Sequence, residues 1–121
     1  MAVRAIRGAT SVESNTKEAI YDAASELVTE IVKRNALSSD DIISIHFTAT
    51  RDLDAAYPAV APRAMGYTDT PLFCSQEMHV EGSLPRCIRA LIHVSAEKTK
   101  QEIIHVYLHE AEKLRPDLSG K

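Results

Sequence analysis

The sequence predicts an α+β protein in which a mixed β-sheet is backed by one long helix. One segment repeats apolar residues at three- and four-residue steps, which is the period of an amphipathic helix. Several shorter segments alternate apolar and polar residues, as half-buried strands do. Because the chain has 121 residues, we expect a single domain over residues 1–121.

The first strand is predicted over residues 3–7, with Gly8 supplying a turn after it. The long helix follows. Asn15 is its predicted N-cap, with Glu18 in capping-box spacing, and Asn35 is its predicted C-cap. The apolar face of this helix comprises Ile20, Ala23, Ala24, Leu27 and Ile31.

The middle of the chain predicts a capped turn over residues 38–41 and then a strand in which Ile43, Ile45 and Phe47 face the core. A short helix is expected from Pro58 to before Gly66, either beginning at Pro62 or distorted there. Further strands are predicted over residues 72–76, 87–94 and 106–111, with a short polar helix starting within residues 98–102.

One helix can cover only one face of this sheet. In the strand over residues 87–94, the predicted core face holds Ile88 and Ile92, whereas Arg89 and Leu91 lie on the other. A sheet face that carries apolar residues needs a partner, so the pattern predicts a homo-oligomer.

Composition excludes some partners. The net charge is −3 and no basic block is present, which disfavours a nucleic-acid partner. No apolar run approaches the ~20 residues of a membrane helix, so no membrane association is expected. Cys74 and Cys87 do not form a CxxC pair, and the N-terminus has no long apolar stretch. These features predict a cytoplasmic protein.

Metal and nucleophile chemistry find little support. His105 and His109 have HxxxH spacing, but in a strand they would lie about 13 Å apart, too far to share a metal. Cys74 is either a nucleophile or a buried inert thiol, and no neighbouring residue marks it as activated.

The arginines allow two interpretations. Arg7, Arg63, Arg89 and Arg115 lie within or beside predicted elements, where they either pair with acidic residues on the surface or bind an anion. An arginine in an apolar strand is costly to bury without a negative partner. Glu77 and Tyr107 are likewise polar groups on or beside apolar strands.

Several separated motifs, in the right order from about residue 3 to residue 118, resemble the monofunctional AroH-type chorismate mutase family. They are Arg4-Ala5-Ile6-Arg7-Gly8-Ala9-Thr10, Gln76-Glu77-Met78, Gly82-Ser83-Leu84, Cys87-Ile88-Arg89, His105-Val106-Tyr107-Leu108 and Leu114-Arg115-Pro116-Asp117-Leu118.

The resemblance implies a homotrimer with a pseudo-α/β-barrel core, three active sites at subunit interfaces, and no metal or cofactor. It implies that Arg7 binds a carboxylate of chorismate and that Arg89 contacts the ether oxygen and a carboxylate. Tyr107 would hold the side-chain carboxylate, and Glu77 and Cys74 would lie on the side of the ring hydroxyl. Arg89, Glu77 and Arg7 are therefore the expected catalytic residues.

The resemblance also assigns further substrate contacts. The neighbouring subunit would supply Tyr57, Ala59 and Arg63, the mobile C-terminal end would supply Leu114 and Arg115, and Phe73 would lie beside Cys74 in the site. Position 57 is Tyr where the family often has Phe, and position 60 is Val where some members carry a charge.

The implied reaction is the rearrangement of chorismate to prephenate in phenylalanine and tyrosine biosynthesis. It suits this residue set because arginine binds carboxylates with two parallel hydrogen bonds. The protein would need only to hold the reactive conformer and stabilise developing charge. Two alternatives are a trimeric imine deaminase with an interfacial arginine and a non-catalytic module that binds an aromatic ligand.

Overall fold

A computed structural model describes residues 2–117 of the chain. Short 3-10 helices cover Ser39–Asp41, Lys100–Glu102 and His109–Lys113. Within the described residues, no helix is long and apolar enough to cross a membrane. The strands are β1 (Val3–Ser11), β2 (Ile42–Ala49), β3 (Leu72–Gln76), β4 (Cys87–Ser95) and β5 (Val106–Leu108), and the helices are α1 (Lys17–Arg34) and α2 (Val60–Ala64).

The five strands form one mixed sheet in the order β3-β2-β4-β1-β5. The central strand β4 pairs antiparallel with both β1 and β2, while the outer pairs β2–β3 and β1–β5 are parallel. The predicted α+β class with a mixed sheet and one long helix is therefore confirmed.

Helix α1 covers one face of the sheet and packs its buried side chains against that face. The alternation predicted for β4 is confirmed, since Ile88 and Ile92 are fully buried. Each such side chain contributes about 1.5–3 kcal/mol when it leaves water. The fully buried side chains of this core include Ile6, Ile20, Leu27, Val28, Ile31, Ile45, Phe47, Ile88, Ile92 and Val94.

The opposite face of the sheet is open in the single chain. Leu91 of β4 is 39% exposed and Phe73 of β3 is 65% exposed on this face. The polar side chains of Arg7 and Arg89 share it, because β1 and β4 alternate in register. We call this surface the open face.

Gly8 does not form a turn, and the prediction that β1 ends before it was wrong. The strand continues to Ser11, and Gly8 lies in its middle. A β-carbon at Gly8 would lie 2.6 Å from Cδ1 of Ile31 and 3.1 Å from Cδ1 of Leu27. Glycine is needed here because α1 packs very closely onto β1.

The N-cap of α1 is Thr16 and not Asn15. Oγ1 of Thr16 accepts a hydrogen bond from the backbone N–H of Ala19 at 3.1 Å. Asn15 instead binds the loop before α2, where its Oδ1 accepts from the N–H groups of Asp54 and Ala55. The predicted boundary was therefore one residue early, because tertiary contacts use the Asn15 side chain.

The C-terminal end of α1 is as predicted. Asn35 is the C-cap, and it is fully buried. Its amide donates to the carbonyls of Ile31 and Ile104, and its Oδ1 accepts from the N–H of Ile104 at 2.8 Å. This cap therefore also holds the chain just ahead of β5.

Helix α2 begins at Val60, so the predicted starts at Pro58 and at Pro62 were both wrong. Pro62 is the third residue of the helix. The N–H groups of a first helical turn have no intrahelical partner, so proline loses no bond there. Turns from Tyr57 and Pro58 lead into the helix, with the N–H of Val60 donating to Tyr57.

Two strand ends also differ from prediction. A bulge in β2 places Ile42 in the core and leaves Ile43 42% exposed. Strand β5 stops at Leu108, because His109 has a φ of 55° and leaves the extended conformation. Ala111, predicted in this strand, lies in the following 3-10 helix.

Candidate active site

A pocket of about 270 Å³ lies on the open face where β1, β2, β4 and β5 approach one another. The register sets Arg89 of β4 opposite Ala9 of β1 on one side and Thr48 of β2 on the other. Tyr107 of β5 lies beyond Ala9. The lining includes four residues predicted for the site, namely Arg7, Glu77, Arg89 and Tyr107.

Glu77 is held at the edge of this pocket by its backbone and by its carboxylate. Its N–H donates to the carbonyl of Ala49 at 2.9 Å, directly after β3 ends. Its Oε1 accepts from Oγ1 of Thr48 at 2.5 Å and lies 3.6 Å from Nε of Arg89. Glu77 therefore orients the Arg89 guanidinium and partly offsets its positive charge.

Arg89 is less buried than its place in an apolar strand predicted. Its side chain is 45% exposed in the single chain, because the alternation of β4 directs it to the open face. The cost expected for a buried cation does not arise here. A guanidinium has five N–H donors, so the contact with Glu77 does not use all the donors of Arg89.

Arg7 is fixed by its backbone. Its N–H donates to Nδ1 of His105 at 2.9 Å, just before β5 begins. Burial lowers the pKa of His105, and the positive charges of Arg7 and Arg115 lower it further. The His105 ring is therefore neutral near pH 7, with Nδ1 acting as an acceptor.

A second group of predicted residues lies on the helix side of the sheet. Cys74 and Tyr57 line a cavity of about 580 Å³ there. Burial raises the pKa of the Cys74 thiol, and a hydrogen bond with the Ala59 backbone and the charge of Arg63 only partly oppose this. The thiol is therefore protonated at neutral pH, which favours the inert interpretation over a nucleophile.

The two groups do not meet within one chain. Cys74 pairs with Phe47 in the sheet and shares its face, whereas the adjacent residue Phe73 lies on the open face. The Phe73 ring contacts His46 edge-on, with ring centroids 5.2 Å apart. We call Tyr57, Ala59, Arg63 and Cys74 the helix-side group.

The C-terminal segment reaches the edge of the open face. Leu114 packs against a small cluster that includes Ala9 and Tyr107. Arg115 pairs with Asp117 through two hydrogen bonds of 2.8 and 3.1 Å. Leu118, the last residue of the predicted motifs, lies outside the described residues.

Metal donors do not converge in the described part of the chain. No group of three or more His, Cys, Asp or Glu side chains there is placed to hold a metal. His109 pairs with Glu26 at 2.9 Å, and His105 accepts from Arg7. The two histidines of the HxxxH pattern thus have separate partners.

Sequence reasoning missed residues that support the predicted ones. Thr48 donates to Glu77, His105 accepts from Arg7, and Asp117 pairs with Arg115. The alternation of β2 places Thr48 on the polar face and so carried a signal for it. The partners of Arg7 depend on which strand borders β1, which local sequence does not specify.

Comparison with known proteins finds one matching family and two similar relatives. The model of the chorismate mutase type I family matches residues 3–118. The chain is 44% identical over 119 residues to the chorismate mutase AroH of Thermus thermophilus, with 98% of each chain covered. It is 41% identical over 120 residues to that of Bacillus subtilis (strain 168), covering 98% of this chain and 94% of the relative.

A solved structure agrees with this. The chain superposes on a chorismate mutase from Clostridium thermocellum with a TM-score of 0.90 and 51% identity, covering 91% of this chain and 98% of that one. The fold and the sequence therefore point to the same class of small α+β isomerases. The chain belongs to the type I chorismate mutase family. The predicted family and the predicted enzyme class are confirmed.

Proposed function

We propose that the chain converts chorismate to prephenate in the pocket lined by Arg7, Glu77, Arg89 and Tyr107. One observation supports this most directly: arginines from two adjacent strands border a single pocket on the open face. Chorismate carries two carboxylates, and guanidinium groups bind carboxylates through paired hydrogen bonds. Tyr107 adds a hydroxyl donor at the β5 side.

The chemistry is an intramolecular rearrangement, in which a C–O bond breaks as a C–C bond forms. It needs no nucleophile and no proton transfer. Binding both carboxylates holds the substrate in the compact conformer from which the new bond can form. Arg89 faces the ether oxygen, where negative charge grows as the C–O bond lengthens. Phenylalanine and tyrosine biosynthesis would use the product.

Glu77 has two roles in this proposal. Its contact with Arg89 at 3.6 Å restrains the guanidinium before substrate arrives. Its remaining carboxylate oxygen can accept a hydrogen bond from the ring hydroxyl of chorismate. A restrained arginine needs less reorganisation when charge develops.

The complete site would form between subunits of a homotrimer with a pseudo-α/β-barrel core. The open face exposes Phe73 and Leu91, so covering it would remove apolar surface from water. The helix-side group lies on the opposite side of its own sheet and would serve the neighbour's pocket. Tyr57 is 73% exposed and so is free to contact another subunit. Leu114 and Arg115 would close the edge beside Tyr107.

We also propose a cytoplasmic location. Cys74 and Cys87 are both free thiols. Burial raises the pKa of Cys87 to about 11, so this thiol is protonated and unreactive at neutral pH. Free thiols are usual in a reducing compartment.

The test is the loss of chorismate absorbance with the purified chain, together with identification of prephenate as the product. Turnover should be nearly constant from about pH 7 to 9, because arginine stays charged there and no group transfers a proton. A chelator should not change the rate. Absence of prephenate, or a bell-shaped profile within this range, would contradict the proposal.

A further inference from the structure

We infer that His105 is a positioning residue for the reaction, which holds Arg7 in place by accepting its backbone N–H at Nδ1. This rests on the proposed function, in which Arg7 binds a substrate carboxylate. The observation is the 2.9 Å hydrogen bond between residues 98 positions apart in the chain.

The bond determines the tautomer of the ring. A backbone N–H can only donate, so Nδ1 must be unprotonated and the ring proton must be on Nε2. Strand β1 borders β5 on this side, and the ladder between them begins at Gly8 and Val106. The His105 ring therefore extends the ladder by one bond, at the residue whose side chain serves the pocket.

His105 acts on Arg7 from outside the pocket. The lining of the 270 Å³ pocket includes Arg7 and Tyr107, whereas His105 lines a separate cavity of about 420 Å³. Arg7 borders both cavities. His105 thus reaches the proposed substrate site through Arg7, which is why we assign it a positioning role.

Protonation of His105 would remove the acceptor. Burial of the ring opposes protonation, and the positive charges of Arg7 and Arg115 oppose it further. Arg4 of β1 and Lys100 of its 3-10 helix line the same cavity. His93 of β4 also lines this cavity, and Asp117 is paired with Arg115. The pKa of His105 is accordingly below its ordinary value.

The sign of the pH effect follows. Near pH 7 the ring is neutral and the bond is intact. As the pH falls through the lowered pKa of His105, Nδ1 gains a proton and can no longer accept from Arg7. The charged ring also repels the Arg7 and Arg115 guanidinium groups. We therefore expect kcat/KM to fall at pH values low enough to protonate His105, with most of the change in KM, because Arg7 binds the substrate before and during the reaction.

The test uses two substitutions. His105→Asn keeps an oxygen acceptor near the position of Nδ1 but does not titrate, so it should retain most activity at pH 7.5 and lose the acid limb of kcat/KM. His105→Leu keeps the bulk without an acceptor and should lower kcat/KM at pH 7.5 by roughly three- to tenfold, the scale for one lost hydrogen bond. Imidazole nitrogen NMR should show the Nε2–H tautomer at pH 7.5 and protonation at a lower pH than that of an ordinary imidazole.

His109→Asn is the matched control. His109 is an exposed histidine paired with Glu26, and its positive φ suits asparagine. This variant should keep the parental pH profile. If His105→Asn shows the same acid limb as the parent, the inference is wrong, even if His105→Leu fails to fold. If the parent does not turn over chorismate, the proposed function fails instead.

Discussion

Arg89 combines two properties at one position of a strand. Its guanidinium lies 3.6 Å from Glu77, and its side chain is 45% exposed toward the pocket. An ion pair at this exposure adds little to stability, about 0–1 kcal/mol. The value of the pair lies in orientation, since Glu77 is itself fixed by Thr48. Removing Arg89 should therefore affect catalysis far more than folding.

We predict that Arg89→Ala lowers kcat by at least ~10²–10³, the scale for losing one preorganised donor at a developing oxyanion. KM should rise as well, because a carboxylate contact is lost. Arg89→Lys keeps the charge without the planar fork and should restore activity only in part. Steady-state kinetics on chorismate measure both.

Arg34→Ala is the control for this substitution. Arg34 is a partly exposed arginine at the end of α1 that pairs with Glu30 at 2.9 Å, away from the open face. Its loss should leave kcat unchanged. A folded Arg89→Ala variant that kept kcat within a few-fold of the parent would refute the role given to Arg89, and circular dichroism would verify the fold.

At the scale of elements, the contact between β1 and α1 sets how closely the helix approaches the sheet. Gly8 faces Leu27 and Ile31 of the helix, which are both fully buried. Interiors are packed too densely to admit another methyl group without movement. This contact also aligns the part of β1 that carries Arg7.

We predict that Gly8→Ala destabilises the fold by about 1–3 kcal/mol through overpacking. Ile31→Val removes Cδ1, the atom nearest the new methyl group, and alone should cost about 0.5–1.5 kcal/mol. The double variant should lose less stability than the sum of the losses in the two single variants, because removing Cδ1 of Ile31 relieves the clash. Urea unfolding at fixed protein concentration measures each value, and additive costs would show that no clash occurs.

The elements that local pattern specifies were predicted well. The period of α1 and the alternation of β4 follow from which face is buried, and both are confirmed. Gly8 and Asn15 were misassigned because their roles come from elements distant in sequence, namely α1 and the loop at Asp54. Local sequence does not distinguish a glycine in a turn from a glycine that allows a helix to pack closely on a strand.

The candidate site could likewise be predicted only in part from the sequence. Arg7, Arg89 and Tyr107 come together because strand order brings β4, β1 and β5 side by side. Their proposed roles come from the family resemblance and stay predictions. His105 could not be assigned from local sequence, since its bond to Arg7 depends on the parallel pairing of the first and last strands.

At the scale of the whole molecule, the main feature is that the predicted site residues occupy both faces of one sheet. Arg7 lies on the open face, whereas Arg63 lies beside Cys74 on the helix side. If both contact one substrate molecule, they must come from different subunits. A homotrimer of the 13.3 kDa chain should then be the active species, which light scattering would detect.

This arrangement predicts complementation between inactive variants. Arg7→Ala and Arg63→Ala homotrimers should each be impaired, but mixed trimers should contain sites in which an intact Arg7 faces an intact Arg63 from the neighbour. With random mixing of equal amounts, roughly a quarter of sites would be complete, since each of the two chains must be of the right type. The measurement is chorismate turnover after the two proteins are unfolded together and refolded.

Mixing Arg7→Ala with Arg89→Ala is the control, because both residues lie on the open face of the same chain and no mixture restores a site. Recovery in the first mixture and not in the second would establish the shared site, whereas no recovery in verified mixed trimers would place Arg7 and Arg63 in the site of one chain.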